Sequence, residues 1–353
     1  MSEQIRVLVV DDSPLVRKAV LDIIEKDSDI RVVGMAENGK SAILMNNDLN
    51  PDVIIMDIEM PVLDGLSALK QIISTNSKPV IMMSALTQFG ADVIFQALEL
   101  GAVDFIYKEK EDVNANLTVP LEDLGILLTA KVKAAAKSRL NIHKVEPEIN
   151  ETKTNTEIRS VVREVSDKIV AIGTSTGGPT ALINIFNKFP EKFPSPVVVV
   201  QHMPEGFTNA FSNRLNSCSN LEVKEAEDGD DLLSGHGYIA PGNAHMGIEK
   251  KGDKYKIKVF KADKVSGHMP SINVLFDSVA EYAGNKSVGV IMTGMGRDGA
   301  DGLLRIKSKG GYTIAQNAET SVVYGMNKAA VEIGAVDEIV PLSLIVDRIV
   351  EHI

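Results

Sequence analysis

Two sets of side chains in this 353-residue sequence combine residue types and spacings that suit chemistry. The first set is acidic. Asp11 and Asp12 directly follow the apolar run Ile5–Val10, and Asp57 directly follows Val53–Met56. Carboxylates gathered at one point repel one another unless a hard cation sits among them, and Mg²⁺ accepts such oxygens while keeping several waters. Ser84 follows the run Pro79–Met83 and Lys108 follows Val103–Tyr107, adding a hydroxyl and an ammonium. Together these groups make a phosphoryl site. Taken singly, Asp11, Asp12 and Ser13 read as caps of the next helix, Asp57 as a loop carboxylate and Lys108 as a solvated charge. Their common position at the ends of apolar runs favours the joint reading.

The second set centres on Ser175. The run Ile169–Ile172 enters Gly173-Thr174-Ser175-Thr176-Gly177-Gly178-Pro179, followed by a helix predicted to begin near Thr180. A turn of small residues between strand and helix lets a serine project outward beside free backbone N–H groups. The same glycines suit a phosphate held at a helix N-terminus, and the motif alone leaves both readings open. A serine hydroxyl needs a neutral imidazole within hydrogen-bond reach. Of six histidines, His143 falls in a polar linker and His352 at the chain end, leaving His202, His236, His245 and His268. His202 directly follows the run Val197–Gln201 and is favoured as the base. A carboxylate must then orient it. Asp298 follows Ser287–Met292 and is the candidate, although it also suits the cap of a helix near Gly299.

The elements that position these residues alternate. Short apolar runs separated by amphipathic segments predict an α/β chain with parallel sheets covered on both faces, and ligands then bind beyond the carboxyl ends of the strands. Five strands are expected before residue 140, and Lys254–Phe260 reads as a hairpin arm. The expected organisation is a first domain over 1–140, a polar linker over 141–166 and a second domain over 167–353. A net charge of −11 disfavours nucleic acid and anionic lipid as partners. The single cysteine, Cys218, excludes a disulfide framework and Cys-rich metal sites. The opening residues lack a basic, apolar leader, and no apolar run reaches the ~20 residues of a membrane span. A cytoplasmic protein without membrane insertion is expected. A transcriptional regulator is disfavoured, because the second half carries neither a helix-turn-helix pattern nor positive charge.

Residues 4–125 resemble the response-regulator receiver family through Val9-Val10-Asp11-Asp12-Ser13, Met56-Asp57-Ile58-Glu59-Met60-Pro61, Met83-Ser84-Ala85 and Gly101-Ala102-Val103-Asp104-Phe105. The resemblance implies a flavodoxin-like receiver domain with a five-stranded parallel sheet. It implies phosphorylation of Asp57 by a sensor histidine kinase, and Mg²⁺ held by Asp11, Asp12, Asp57 and the Glu59 carbonyl. Ser84 and Lys108 would sense the phosphoryl group. Glu109 departs from the proline usual after the lysine.

From Lys168 to about Ile349 the sequence resembles the CheB family of chemotaxis protein-glutamate methylesterases. Gly173-Thr174-Ser175-Thr176-Gly177-Gly178, Gln201-His202-Met203-Pro204, Ala240-Pro241-Gly242-Asn243-Ala244-His245-Met246, Thr293-Gly294-Met295-Gly296-Arg297-Asp298-Gly299 and Thr320-Ser321-Val322-Val323-Tyr324-Gly325-Met326 carry the likeness. It implies a doubly wound α/β methylesterase domain with Ser175 as nucleophile, His202 as base, Asp298 as its partner, and Thr176 and Met295 beside the oxyanion site. The implied activity is phosphorylation-activated hydrolysis of glutamate γ-methyl esters on chemoreceptors, releasing methanol, with deamidation of receptor glutamines and no cofactor for the esterase chemistry. Met269 and Asn273 depart from the Arg and Asp common in relatives, as does Asn317-Ala318-Glu319 from an Asp-Glu pair. These positions lie outside the expected triad and should bear on substrate recognition.

Overall fold

A computed structural model describes residues 4–85, 88–108, 121–138, 168–252 and 254–353. The Lys108 side chain, Glu109, His143 and the expected linker over 141–166 lie outside the described residues.

In the first half, β1 (Ile5–Val10), β2 (Ile30–Ala36), β3 (Val53–Asp57), β4 (Val80–Ala85) and β5 (Asp104–Lys108) form one sheet in the order β2-β1-β3-β4-β5. All its pairings are parallel. The helices are α1 (Pro14–Ile24), α2 (Gly39–Leu49), α3 (Gly65–Thr75), α4 (Gln88–Glu99) and α5 (Leu121–Lys137). Local chemistry sets their starts. Ser13 caps α1, Asn38 and Ser41 form a capping box on α2, and Asp64 accepts from Ser67 N at 2.9 Å to cap α3. Gly65 is required at its position: a Cβ there would stand 2.1 Å from the Asp57 carbonyl oxygen, so the helix can approach the acidic edge only without a side chain.

The second half begins with β6 (Ile169–Thr174), α6 (Gly178–Phe186), β7 (Val197–Gln201), α7 (Phe207–Cys218), β8 (Glu222–Glu225) and β9 (His236–Ile239). It continues through β10 (His245–Lys251), β11 (Lys254–Phe260), α8 (Ile272–Tyr282), β12 (Ser287–Ile291), α9 (Ala300–Ser308), β13 (Tyr312–Gln316), α10 (Met326–Glu332), β14 (Glu338–Val340) and α11 (Ile345–Glu351). Seven strands form a parallel sheet ordered β14-β13-β12-β6-β7-β9-β8, and β10 pairs antiparallel with β11 as a separate hairpin. From β6 the chain proceeds to β7 on one side and later returns to β12 on the other. That reversal opens a crevice at the carboxyl ends of β6 and β12, the usual ligand position in such sheets. Every residue of β6, β7 and β12 is buried, which explains their continuous apolar sequences. Helix α6 begins two residues earlier than expected, with Pro179 in its first turn, where a missing N–H costs nothing.

The two halves touch. Phe95 of α4 meets Phe211 of α7 with ring centroids 5.3 Å apart, and Phe105 of β5 meets Phe207 at 5.2 Å. Arg214 Nε donates to Glu99 Oε1 at 2.8 Å across the same contact. Val322 packs against the apolar cluster of the first sheet.

Candidate active site

Three turns converge on the crevice. Backbone bonds lace them together: Ser175 N donates to the Thr293 carbonyl at 3.0 Å, and His202 N donates to the Thr174 carbonyl at 3.1 Å. Gln201 Nε2 donates to the carbonyls of Ser175 and His202, both at 3.0 Å. Thr293 is a hub, its Oγ1 donating to the Thr176 carbonyl at 2.9 Å and accepting from Val323 N at 3.0 Å. The sequence reading missed Gln201 and Thr293 as supports, although both stand inside the quoted motifs.

Ser175, His202 and Asp298 lie in one hydrogen-bonded row. His202 Nδ1 is 3.2 Å from Ser175 Oγ, and His202 Nε2 is 2.9 Å from Asp298 Oδ2. Because a carboxylate only accepts, Nε2 carries the proton and Nδ1 faces the serine with its lone pair. The ring is thus used in the opposite sense to the familiar serine-protease arrangement, in which Nε2 faces the nucleophile. His202 and Asp298 are almost wholly buried, while Ser175 stays partly open.

Asp298 does not cap the helix that follows it, whose N-cap is Gly299. Its carboxylate sits instead on the start of α8. Oδ1 accepts from Ser271 Oγ at 2.8 Å and Asn273 N at 3.2 Å, and Oδ2 accepts from Ile272 N at 2.7 Å. Burial alone would raise its pKa. The His202 hydrogen bond and charge, with Ile272 N–H and the Ser271 hydroxyl, outweigh that and hold the group below the usual carboxylate range. The segment Met269–Asn273, expected to bear on recognition, therefore also anchors this carboxylate. His245 steadies the same helix start, its Nδ1 accepting from Ser271 N at 3.2 Å.

Thr176 is buried and Met295 is exposed at the rim. Among the described residues, no acceptor engages the N–H of either one. The alternative phosphate cradle is weakened here, because Ser175 N and Gly178 N already donate to Thr293 O and Ser175 O. Gly294 closes the space behind the serine: a Cβ there would stand 2.9 Å from Ser175 Cβ and 2.4 Å from Met326 Sδ. Gly294→Ala is therefore expected to push Ser175 off His202 and lower turnover by about 10²-fold, since a misplacement near 1 Å costs that much. Steady-state hydrolysis, with thermal unfolding as the control for folding, measures it.

At the first sheet, oxygens of Asp11, Asp12 and Asp57 lie within 4.8 Å of one another, with Asp11 and Asp57 buried and Asp12 exposed. Ser84 is buried at the end of β4, and Glu59 is exposed on the loop after β3. Clustered, partly buried carboxylates fit a hard divalent ion by donor chemistry. Among the described residues, no helix is long and apolar enough to cross a membrane.

Residues 170–349 match the family model described as CheB methylesterase, and residues 7–117 match the response regulator receiver domain. A protein-glutamate methylesterase/protein-glutamine glutaminase of Sulfurimonas denitrificans is 45% identical, covering 96% of this chain and 96% of its own. One from Pyrococcus horikoshii is 43% identical over 100% of this chain and 95% of its own. The crystal structure of the Thermotoga maritima CheB methylesterase catalytic domain is 44% identical with a TM-score of 0.52, covering 54% of this chain and all of its own. With this family model over 170–349 and full-length relatives at 43–45% identity, the chain belongs to the CheB methylesterase family and carries a response regulator receiver domain ahead of the esterase domain.

Proposed function

We propose that this protein is a phosphorylation-activated serine hydrolase that cleaves glutamate γ-methyl esters on the cytoplasmic helices of chemoreceptors and deamidates receptor glutamines. The observation that carries this reading is the row Ser175 Oγ, His202, Asp298, with contacts of 3.2 and 2.9 Å. His202 Nδ1 removes the Ser175 proton while Oγ attacks the ester carbonyl. The amides of Thr176 and Met295 receive the oxyanion, and Asp298 balances the imidazolium. The imidazolium then protonates the departing methanol, and water, activated by the same ring, releases the glutamate carboxylate. A primary amide follows the same course with ammonia leaving. No cofactor enters this chemistry.

Receiver, linker and esterase domains are taken as 1–140, 141–166 and 167–353, and the chain works in the cytoplasm. Asp57 is the phosphoryl acceptor, charged by a chemotaxis histidine kinase, and Ser84 and Lys108 read its state. Asp11, Asp12, Asp57 and the Glu59 carbonyl would hold Mg²⁺, which when bound neutralises charge on the phosphoryl oxygens. The aromatic contacts of Phe95 and Phe105 with α7, and Val322 lying between the receiver core and Gly177, support a receiver that covers the Ser175 edge until phosphorylated. Such a cover need only shift partially, since 1.4 kcal/mol of differential stability already changes the open fraction about tenfold.

Methanol release from methylated receptor membranes, with and without an acyl-phosphate donor, tests the reading. The donor should raise the rate about tenfold or more in the native chain and leave Asp57→Asn at its basal rate. Equal stimulation of both chains would refute Asp57 as the acceptor, and absence of methanol in every condition would refute the esterase.

A further inference from the structure

His268 stands outside the proton row yet covers one of its members. Its imidazole lies on that of His202 with ring centroids 3.8 Å apart and planes 13° from parallel. The turn that presents it is closed by Val265 N donating to His268 O at 3.1 Å and His268 N donating to Val265 O at 3.0 Å. Asn273 Nδ2 donates to Ser266 Oγ at 3.3 Å, tying this turn to the helix start that also receives Asp298. The His268 ring and the Asp298 carboxylate are therefore referenced to one rigid element.

We propose that His268 is a positioning residue: a neutral aromatic ring that fixes the plane of His202 and favours the imidazolium formed when Ser175 gives up its proton. This deepens the hydrolase reading and rests on it. His202 must aim Nδ1 and Nε2 at two partners at once, so any tilt about its Cβ–Cγ bond lengthens one of two bonds. A flat ring against its face resists that tilt. A cation facing an aromatic ring is attracted to it, most strongly where water is excluded. The benefit requires His268 to stay uncharged. The charged and titratable groups facing it are His202, Asp298 and Lys264. Burial, helped by His202 and Lys264 against Asp298, pulls its pKa down to about 4, so the His268 ring is neutral near pH 7.

The test uses the full chain carrying His268→Phe or His268→Leu, with His268→Met as a second non-aromatic variant in case Leu impairs folding. Two readouts apply: methanol release across the near-neutral pH range, and the rate at which a fluorophosphonate labels Ser175. Phe, which keeps the flat ring, should hold turnover within about threefold of native with the acidic limb unmoved. Leu and Met should lose about tenfold in kcat with KM little changed, equivalent to about 1.4 kcal/mol. Their acidic limb should shift to lower pH, because the imidazolium has lost its aromatic neighbour. Leu or Met performing as well as Phe would reduce His268 to a space-filler and overturn the proposal. Phe falling as far as Leu would overturn it in favour of a proton-carrying role. Failure of the native chain to label at Ser175 would overturn the hydrolase reading as well, which separates the two failures.

Discussion

Replacing Ser175 with Ala is expected to cut methanol release by about 10⁴-fold or more while leaving the fold standing. Removal of a serine nucleophile from a relay of this kind typically costs near 10⁶ in turnover, and what survives comes from substrate binding and the oxyanion donors. Here the substitution deletes a single oxygen. The Ser175 N–H still reaches the Thr293 carbonyl, and the Thr176 and Met295 amides stay in place. The thermal midpoint should therefore move by no more than a few degrees, and binding of methylated receptor should survive. Loss of activity with preserved binding places the effect on the chemical step. Near-native hydrolysis by Ser175→Ala would exclude an acyl-enzyme on this residue.

Asp298→Asn is the second large effect, and it carries two signatures. The amide offers a donor where His202 Nε2–H needs an acceptor. The ring then favours the tautomer with its proton on Nδ1, facing the serine, and the corresponding loss in a serine protease is ~10⁴ in turnover. Asp298 also gathers Ser271 Oγ, Ile272 N and Asn273 N at the start of α8. An amide nitrogen cannot accept from these donors, so stability should fall by about 1–3 kcal/mol. The pH dependence has a definite sign. The native carboxyl titrates below its unfolded value, so its stabilisation is complete above about pH 4 and is lost as pH falls through the lower folded pKa. The stability gap between native and Asp298→Asn chains should be widest near neutrality and narrow below about pH 4. Urea melts at several pH values measure it. A constant gap would show that the carboxylate charge contributes nothing to the α8 start.

How much of this was legible in the sequence depended on what each residue answers to. The runs Ile169–Ile172, Val197–Gln201 and Ser287–Met292 are buried on both faces, so their apolar character is continuous and their carboxyl ends can be read directly. Ser175, His202 and Asp298 each follow one of those runs, and topology alone brings them to one edge. Strand β2 was harder to delimit because it is half-exposed, with Arg31 and Met35 open to solvent and an irregular register against β1. Strands β8 and β14 are short, with polar residues among the apolar ones. The role of the α8 start was hidden for a different reason. Ser271 reaches Asp298 across 27 residues of chain, and nothing local in Pro270-Ser271-Ile272-Asn273 announces that contact. The same holds for the stack of His268 on His202 and for the reversed use of the His202 ring. Both depend on side-chain rotation within a packed crevice, which spacing does not encode.

The central claim is that Ser175 and His202 act as one unit, and a double-mutant cycle on methanol release tests it most directly. Ser175→Ala, His202→Ala and the combined variant are each measured with phosphodonor present. If the imidazole works only by activating the serine, each single change removes the whole effect, and the combined chain should be no slower than either single within about threefold. Losses that multiply, with the double variant slower by the product of the two, would mean that the residues contribute separately and would contradict the relay.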